Sequence, residues 1–295
     1  SKEADIPAEI YHLKSSRKPN WSKIDDIIKR VEEVRGQGLK ITADIYTYNA
    51  SSTGLTGVIP TWVQEGGHRA WIERMKDPNM RPRLLEDIRK ELSEQPPEGI
   101  LMVGFKTSEM SKKYLSKTVA EAAKMRGQSP EEAIVDMVIE DDNRIQCIYF
   151  SMSEENIRKK IKLPWVSFCS DAGVYSDITK NFRTHPRAFG SFVRVLGKYS
   201  RDENLFPLEE GIRRLTHFPA SNLKLKNRGM LKENYFADVV IFDPEKVGDK
   251  ATFEDPLQYA VGVNHVLVNG VPVLLDGEST NKYPGKYVKG SGYKN

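Results

Sequence analysis

One strand–helix–strand pattern near the start restricts the fold more than any other feature. Pro7-Ala8-Glu9-Ile10-Tyr11-His12-Leu13-Lys14 reads as a strand, cut off by a polar loop over 15–20. Asn20 or Ser22 can cap a helix whose Ile24, Ile27, Ile28, Val31 and Val34 fall on one face. Gly36 and Gly38 stop it, and 39–48 reads as a second strand, with Ile41, Ala43 and Ile45 alternating against Thr42, Asp44 and Tyr46. A crossover this short favours parallel pairing, which puts the chain in the α/β class.

At 295 residues the chain has room for roughly two domains, or one large barrel with an appendage. From 51 to 143 the pattern turns helical, with segments at 70–75, 82–92, 117–126 and 129–139 around one apolar run at 100–105. Ser129, Pro130 and Glu132 form a helix start signal. A stretch that long exceeds any ordinary barrel loop, so it reads as an insertion over one end of the core. Alternation resumes with a strand at 146–150, a helix at 154–161 and a strand at 165–169, ending in Ser170-Asp171-Ala172-Gly173; two helices follow, at about 189–199 and 207–215. The tail is β-rich, with Asn269-Gly270 as a hairpin turn. The expected division is 1–224 for the core and 225–295 for a small C-terminal β-domain.

Composition excludes several classes. The 45 basic and 41 acidic residues leave +4, spread along the chain, which argues against a nucleic-acid partner. No apolar run reaches the roughly 18 residues of a membrane span. Cys147 and Cys169 cannot make a disulfide framework, so reduced thiols and a cytoplasmic location are expected, with no secretion signal visible. The chain begins Ser1-Lys2-Glu3 without Met, and its native start is expected elsewhere.

His12 and Lys14, two apart on a strand, point to one side, as do Asp44 and Tyr46 on the next; Asp171 ends a later strand. In a parallel α/β barrel, polar residues at the carboxyl ends of strands converge on the catalytic face. A neutral imidazole suits Zn²⁺, a neighbouring carboxylate can take a proton from metal-bound water, and lysine with arginine can hold a substrate carboxylate. Each has a plainer reading. A strand histidine is more often structural, Asp171 can end a strand through an Asx turn, and Arg183, His185 and Arg187 can be a solvated surface. Cys169, inside an apolar strand, reads as an inert thiol rather than a nucleophile. No CxxC, HExxH, P-loop or Gly-rich dinucleotide fingerprint is present. Unaided, the residues reach half of a metal-assisted hydrolase site.

His12-Leu13-Lys14, Thr42-Ala43-Asp44-Ile45-Tyr46-Thr47-Tyr48-Asn49-Ala50-Ser51-Ser52-Thr53, Ser170-Asp171-Ala172-Gly173 and Thr184-His185-Pro186-Arg187-Ala188-Phe189-Gly190 follow in order. Arg228-Gly229, Tyr235-Phe236-Ala237-Asp238 and a run ending in Asn269-Gly270 close the series. Together they resemble the C-terminal portion of the N-acyl-D-amino-acid deacylases (D-aminoacylases) of the amidohydrolase superfamily. The resemblance implies part of a TIM-like (β/α) barrel with a mostly helical insertion, followed by a small C-terminal β-sandwich domain. It makes His12 a zinc ligand and Asp171 the aspartate that activates water and protonates the leaving amine. Lys14, Tyr46, Ser52 and Arg187 match positions that bind the substrate carboxylate. The implied reaction turns an N-acyl-D-amino acid into a carboxylate and a D-amino acid, with one or two zinc ions.

The sequence also departs from the family. Thr47 stands where proline is usual, and Ala172 where glycine is frequent. The His-x-His pair, ligand cysteine and further strand histidine of the family's N-terminal half are not found here. The remaining zinc ligands and barrel strands are therefore expected from a missing N-terminal half or a second chain. The open alternatives are a cyclic-amide hydrolase of the dihydroorotase or hydantoinase kind, a dipeptidase, or a catalytically silent fragment.

Overall fold

The computed structural model describes residues 1–173, 175 and 183–293. Strand β1 (Ala8–Ile10), helix α1 (Lys23–Gly36) and strand β2 (Ile41–Ile45) form the expected unit, with β1 and β2 parallel. Helix α1 buries Ile24 and Val31 from its apolar stripe. Ser22 occupies its N-cap, but its side chain makes no capping hydrogen bond. The insertion follows, in the order β3 (Ser51–Gly54), α2 (Thr61–Gln64), α3 (His68–Lys76), α4 (Arg81–Glu94), β4 (Ile100–Gly104), α5 (Ser108–Tyr114), α6 (Val119–Arg126), α7 (Pro130–Asp141) and β5 (Gln146–Tyr149). Helix α7 begins with the Ser129–Glu132 capping box that its sequence signals.

Strand β5 differs from expectation. It pairs antiparallel with both β3 and β4 and belongs to the insertion's own sheet, rather than resuming the parallel alternation. Its sequence pattern marks a strand, but a strand's sequence does not name its partner. Helix α8 (Glu154–Ile161) and strand β6 (Val166–Phe168) return to the first sheet, in the order β1-β2-β6, with β2 and β6 parallel. Arg214, 1% exposed, donates to the carbonyls of Ile161 and Leu163 at the end of α8.

Helix α9 (Arg187–Arg194) runs on as a π-helical turn over Val195–Asp202. Helices α10 (Leu208–Leu215) and α11 (His217–Asn222) follow. The tail folds as one antiparallel sheet, β10-β9-β8-β7, from β7 (Val239–Phe242), β8 (Val263–Val268), β9 (Val271–Leu275) and β10 (Glu278–Ser279). Asn269 and Gly270, at φ 50° and 80°, make the turn between β8 and β9. The expected sandwich is corrected to a single layer. Among the described residues no second sheet faces it, and none of its strand residues is buried. No helix among the described residues is long and apolar enough to cross a membrane.

Two principal cores result. One, holding Leu55, Met75, Ile88, Met102 and Ile134, lies within the insertion; the other, holding Ile24, Ile45, Val166 and Tyr199, lies around the parallel sheet. A small cluster of Ala50, Val103 and Ile148 is joined to the second core through Phe253, which packs against both.

Candidate active site

The site forms where the three parallel strands end. Past β1 the pairing with β2 continues through Leu13 N–H to the Asp44 carbonyl (2.9 Å), and past β6 through Cys169 N–H to the Ile45 carbonyl (3.0 Å). The residues just beyond these bonds are therefore brought level. His12 lies in a turn after β1 rather than within the strand, so the expected alternation with Lys14 is replaced by a turn that still joins them. Lys14 Nζ stands 2.6 Å from His12 Nδ1. The turn is pinned by Asp44, whose carboxylate accepts the His12 N–H at 2.7 Å. His12 and Asp171 both adopt left-handed backbone, φ 38° and 46°, an uncommon state for residues other than glycine and one that clusters at functional sites.

Tyr46, 2% exposed, is the hub. Its ring has the Arg187 guanidinium carbon 4.4 Å from its centroid and Lys14 Nζ at 5.4 Å. The His12 ring meets it edge-on at 6.5 Å. Arg187, the first residue of α9, forms an ion pair with Asp171 at 2.8 Å, and the Tyr11 hydroxyl donates to the other Asp171 oxygen at 3.2 Å. Five of the expected residues, His12, Lys14, Tyr46, Asp171 and Arg187, thus form one contact chain. Burial lowers the Lys14 ammonium to about 8, with Asp171 opposing and Arg187 reinforcing the fall. Burial raises the Tyr46 phenol and the Cys169 thiol above their ordinary ranges; for Cys169 this fits the inert reading.

Ser52 approaches from the other sheet. Its hydroxyl donates to the Cys147 carbonyl at 2.9 Å and accepts from the Gln146 amide at 2.8 Å. With Asp171 and Arg187 it lines a cavity of about 740 Å³, whose lining does not include His12, Lys14 or Tyr46.

His185 was overlooked. It reads as part of a solvated loop, yet it is 2% exposed. Its ring packs edge-on against Tyr46, Tyr48 and Phe253. Nδ1 accepts the Arg187 N–H at 3.0 Å, and Nε2 donates to the Ala50 carbonyl at 2.9 Å. Burial, with Arg187 beside it, pushes its pKa down to about 3. The neutral ring, with both nitrogens engaged, fixes the start of α9 and hence Arg187. Its burial carries no local sequence signal, because its aromatic shell comes from distant segments.

A structural zinc takes four protein ligands and a catalytic zinc typically three plus water. Among the described residues no three His, Cys, Asp or Glu side chains come together, and His12 Nδ1 already faces Lys14 Nζ. By themselves these residues do not fit the metal.

A model of the amidohydrolase family matches residues 57–274. A D-aminoacylase from Alcaligenes xylosoxydans xylosoxydans is 30% identical over 285 residues, covering 97% of this chain and 49% of the relative. A solved D-aminoacylase, described with a binuclear metal centre, superposes with a TM-score of 0.71 at 29% identity, over 95% of this chain and 49% of the other. The N-acyl-D-glutamate deacylase from Bordetella bronchiseptica, solved with zinc and a phosphonate inhibitor, gives 0.69 at 28% identity, over 90% and 46%. The chain spans about half the length of the relatives it matches. With the family model covering most of its length and D-aminoacylases similar to nearly all of it, the chain belongs to the amidohydrolase family.

Proposed function

We propose that the protein hydrolyses the amide of N-acyl-D-amino acids, releasing a carboxylate and a free D-amino acid. The carrying observation is the cluster at the parallel strand ends, where Lys14 and Arg187 contact Tyr46 and Arg187 is paired with Asp171. Two cations beside one buried ring suit a carboxylate, and the planar guanidinium can grip it through two parallel N–H bonds. Tyr46 limits where the cations can lie. Ser52, from the facing wall, supplies a hydroxyl to the same carboxylate.

Asp171 has the role of moving the proton: it takes one from the attacking water and returns it to the leaving amine nitrogen. The Tyr11 and Arg187 contacts orient its two oxygens for that exchange. In this reading the strands β1, β2 and β6 are three staves of a (β/α) barrel. The other staves, and the donors that complete a site for one or two zinc ions beside His12, come from protein outside these residues.

The test is a substrate panel on the full-length protein: N-acetyl-D-amino acids, their L-enantiomers, cyclic amides and dipeptides. Turnover of the D-compounds with little on the L-series is expected. Turnover confined to cyclic amides or dipeptides would remove the proposal.

A further inference from the structure

Strands β7 and β8 are antiparallel neighbours, with Phe242 opposite Val263. Such a pair can be closed by about two to five residues, yet the chain between them runs over 243–262. Loops this long in a compact domain usually carry function. The two ends of this one stay together. Asp243 N–H donates to the Gly262 carbonyl at 2.8 Å, and Gly248 and Val261 exchange both backbone hydrogen bonds. The residues beyond leave the sheet and pack on α9 and the π-helical turn that follows it.

Burial in the tail is inverted by this connection. No strand residue of its sheet is buried, whereas Val247 and Ala251 are 1% and 3% exposed. Close contacts fix its course. A Cβ on Gly197 would lie 2.5 Å from the Val247 carbonyl oxygen. Asp249 pairs with Arg194 at 2.6 Å and accepts the Tyr48 hydroxyl at 3.0 Å. The next large apolar side chain, Phe253, is thereby delivered to the site. Its ring centre lies 5.3 Å from that of His185, 6.1 Å from Tyr48 and 4.8 Å from Phe150, each pair edge-on.

Phe253 also packs against the cluster that contains Ala50. It thus braces both sides of one hydrogen bond, the His185 ring whose Nε2 donates and the Ala50 segment whose carbonyl accepts. Through Nδ1 the same ring accepts the Arg187 N–H. Both bonds lie in the plane of the imidazole, so rocking out of that plane is resisted by the packed rings. A smaller side chain at 253 would free that motion, and Arg187 would lose its fixed start.

We propose that Phe253 is a positioning residue for the substrate carboxylate: the tail presses its ring on His185, and His185 sets Arg187. Phe253 itself meets no substrate atom. This rests on the amide-hydrolase reading above, in which Arg187 grips the carboxylate, and it gives the tail a part in substrate binding.

The full-length protein is assayed on the N-acetyl-D-amino acid it turns over best, well below each variant's melting temperature. Phe253→Leu keeps apolar bulk and loses the edge-on ring. Its KM is expected to rise about 2- to 10-fold with kcat nearly unchanged, the scale of one such ring contact. Phe253→Tyr, which keeps the ring, is expected to stay near wild type; a rise as large as that of Phe253→Leu overturns the proposal. Partial unfolding lowers apparent kcat and leaves KM alone, so that pattern would show a merely structural residue and overturn it too. In the double variant with Arg187→Lys, KM is expected to match Arg187→Lys alone, because the brace acts through that arginine; additive increases count against it. A wild type that hydrolyses no N-acyl amino acid removes the amide-hydrolase reading separately. Calorimetric titration with butyrate then makes the same comparison on a bare carboxylate. Binding weakened by Phe253→Leu only where Arg187 is present supports the brace; equal binding, or none to any form, overturns it.

Discussion

Arg187 serves two partners at once, lying on Tyr46 and pairing with Asp171. A lysine there keeps the charge and loses the planar fork, so Arg187→Lys in the full-length protein is expected to raise KM about 10- to 100-fold. An unchanged KM would mean the arginine does not touch substrate. Asp171→Asn removes the proposed proton carrier and is expected to lower kcat by about 10²- to 10⁴-fold, with KM nearly unchanged in steady-state kinetics. Lys160 makes a different prediction. It is 2% exposed, and its amine donates to the Leu13 carbonyl at 2.8 Å, between His12 and Lys14. Burial, with the Lys14 charge adding, lowers its pKa from 10.5 to about 7. Between those values the unfolded chain binds a proton that the folded chain lacks, so this group's contribution to stability rises with pH across the window. Below about 7 the cost of a charged buried amine is fully present. The melting-temperature difference between wild type and Lys160→Met should therefore move in favour of wild type as pH rises from neutral to alkaline; parallel curves would refute the assignment. At this scale the sequence made His12, Lys14, Tyr46, Asp171 and Arg187 legible as a group. It hid His185, whose burial depends on Tyr46, Tyr48 and Phe253, and Lys160, whose helix reads as an ordinary amphipathic one.

Elements were legible where their signals are local and obscure where they are not. The capping box of α7 and the Asn269-Gly270 turn carry their geometry in adjacent residues, and both formed as expected. Strand β3 is obscure in the sequence because Ser51, Ser52 and Gly54 carry little β-propensity and no apolar alternation; it exists because β5 pairs with it. Helix α9 adds a constraint invisible to propensity. Gly190→Ala in an open helix would gain up to about 1 kcal/mol. Here the new methyl would sit 1.9 Å from the Tyr48 hydroxyl, which donates to Asp249 at 3.0 Å. Overpacking costs about 1–3 kcal/mol, so the variant is expected to be less stable in denaturant titration. A gain in stability would show that α9 and the segment after β2 can separate freely.

At the scale of the molecule, three parallel strands leave both sheet edges without strand partners among the described residues, and such edges call for cover. The donor shortage at His12 points the same way. The 295-residue chain alone is accordingly expected to retain less than one equivalent of zinc after dialysis, measured by elemental mass spectrometry, while the full-length protein retains at least one. Stoichiometric zinc on the shorter chain, with a rise in its melting temperature, would contradict this. The overall class was legible because parallel pairing follows from crossover length. The cavity has walls from two separate packings, Asp171 and Arg187 joined to the parallel sheet and Ser52, Gln146 and Arg144 to the insertion. The two walls meet at His185 and Phe253, but each draws most of its packing from its own core. A lineage of such chains can thus retune what the cavity accepts by editing one wall, while the wall opposite is inherited intact.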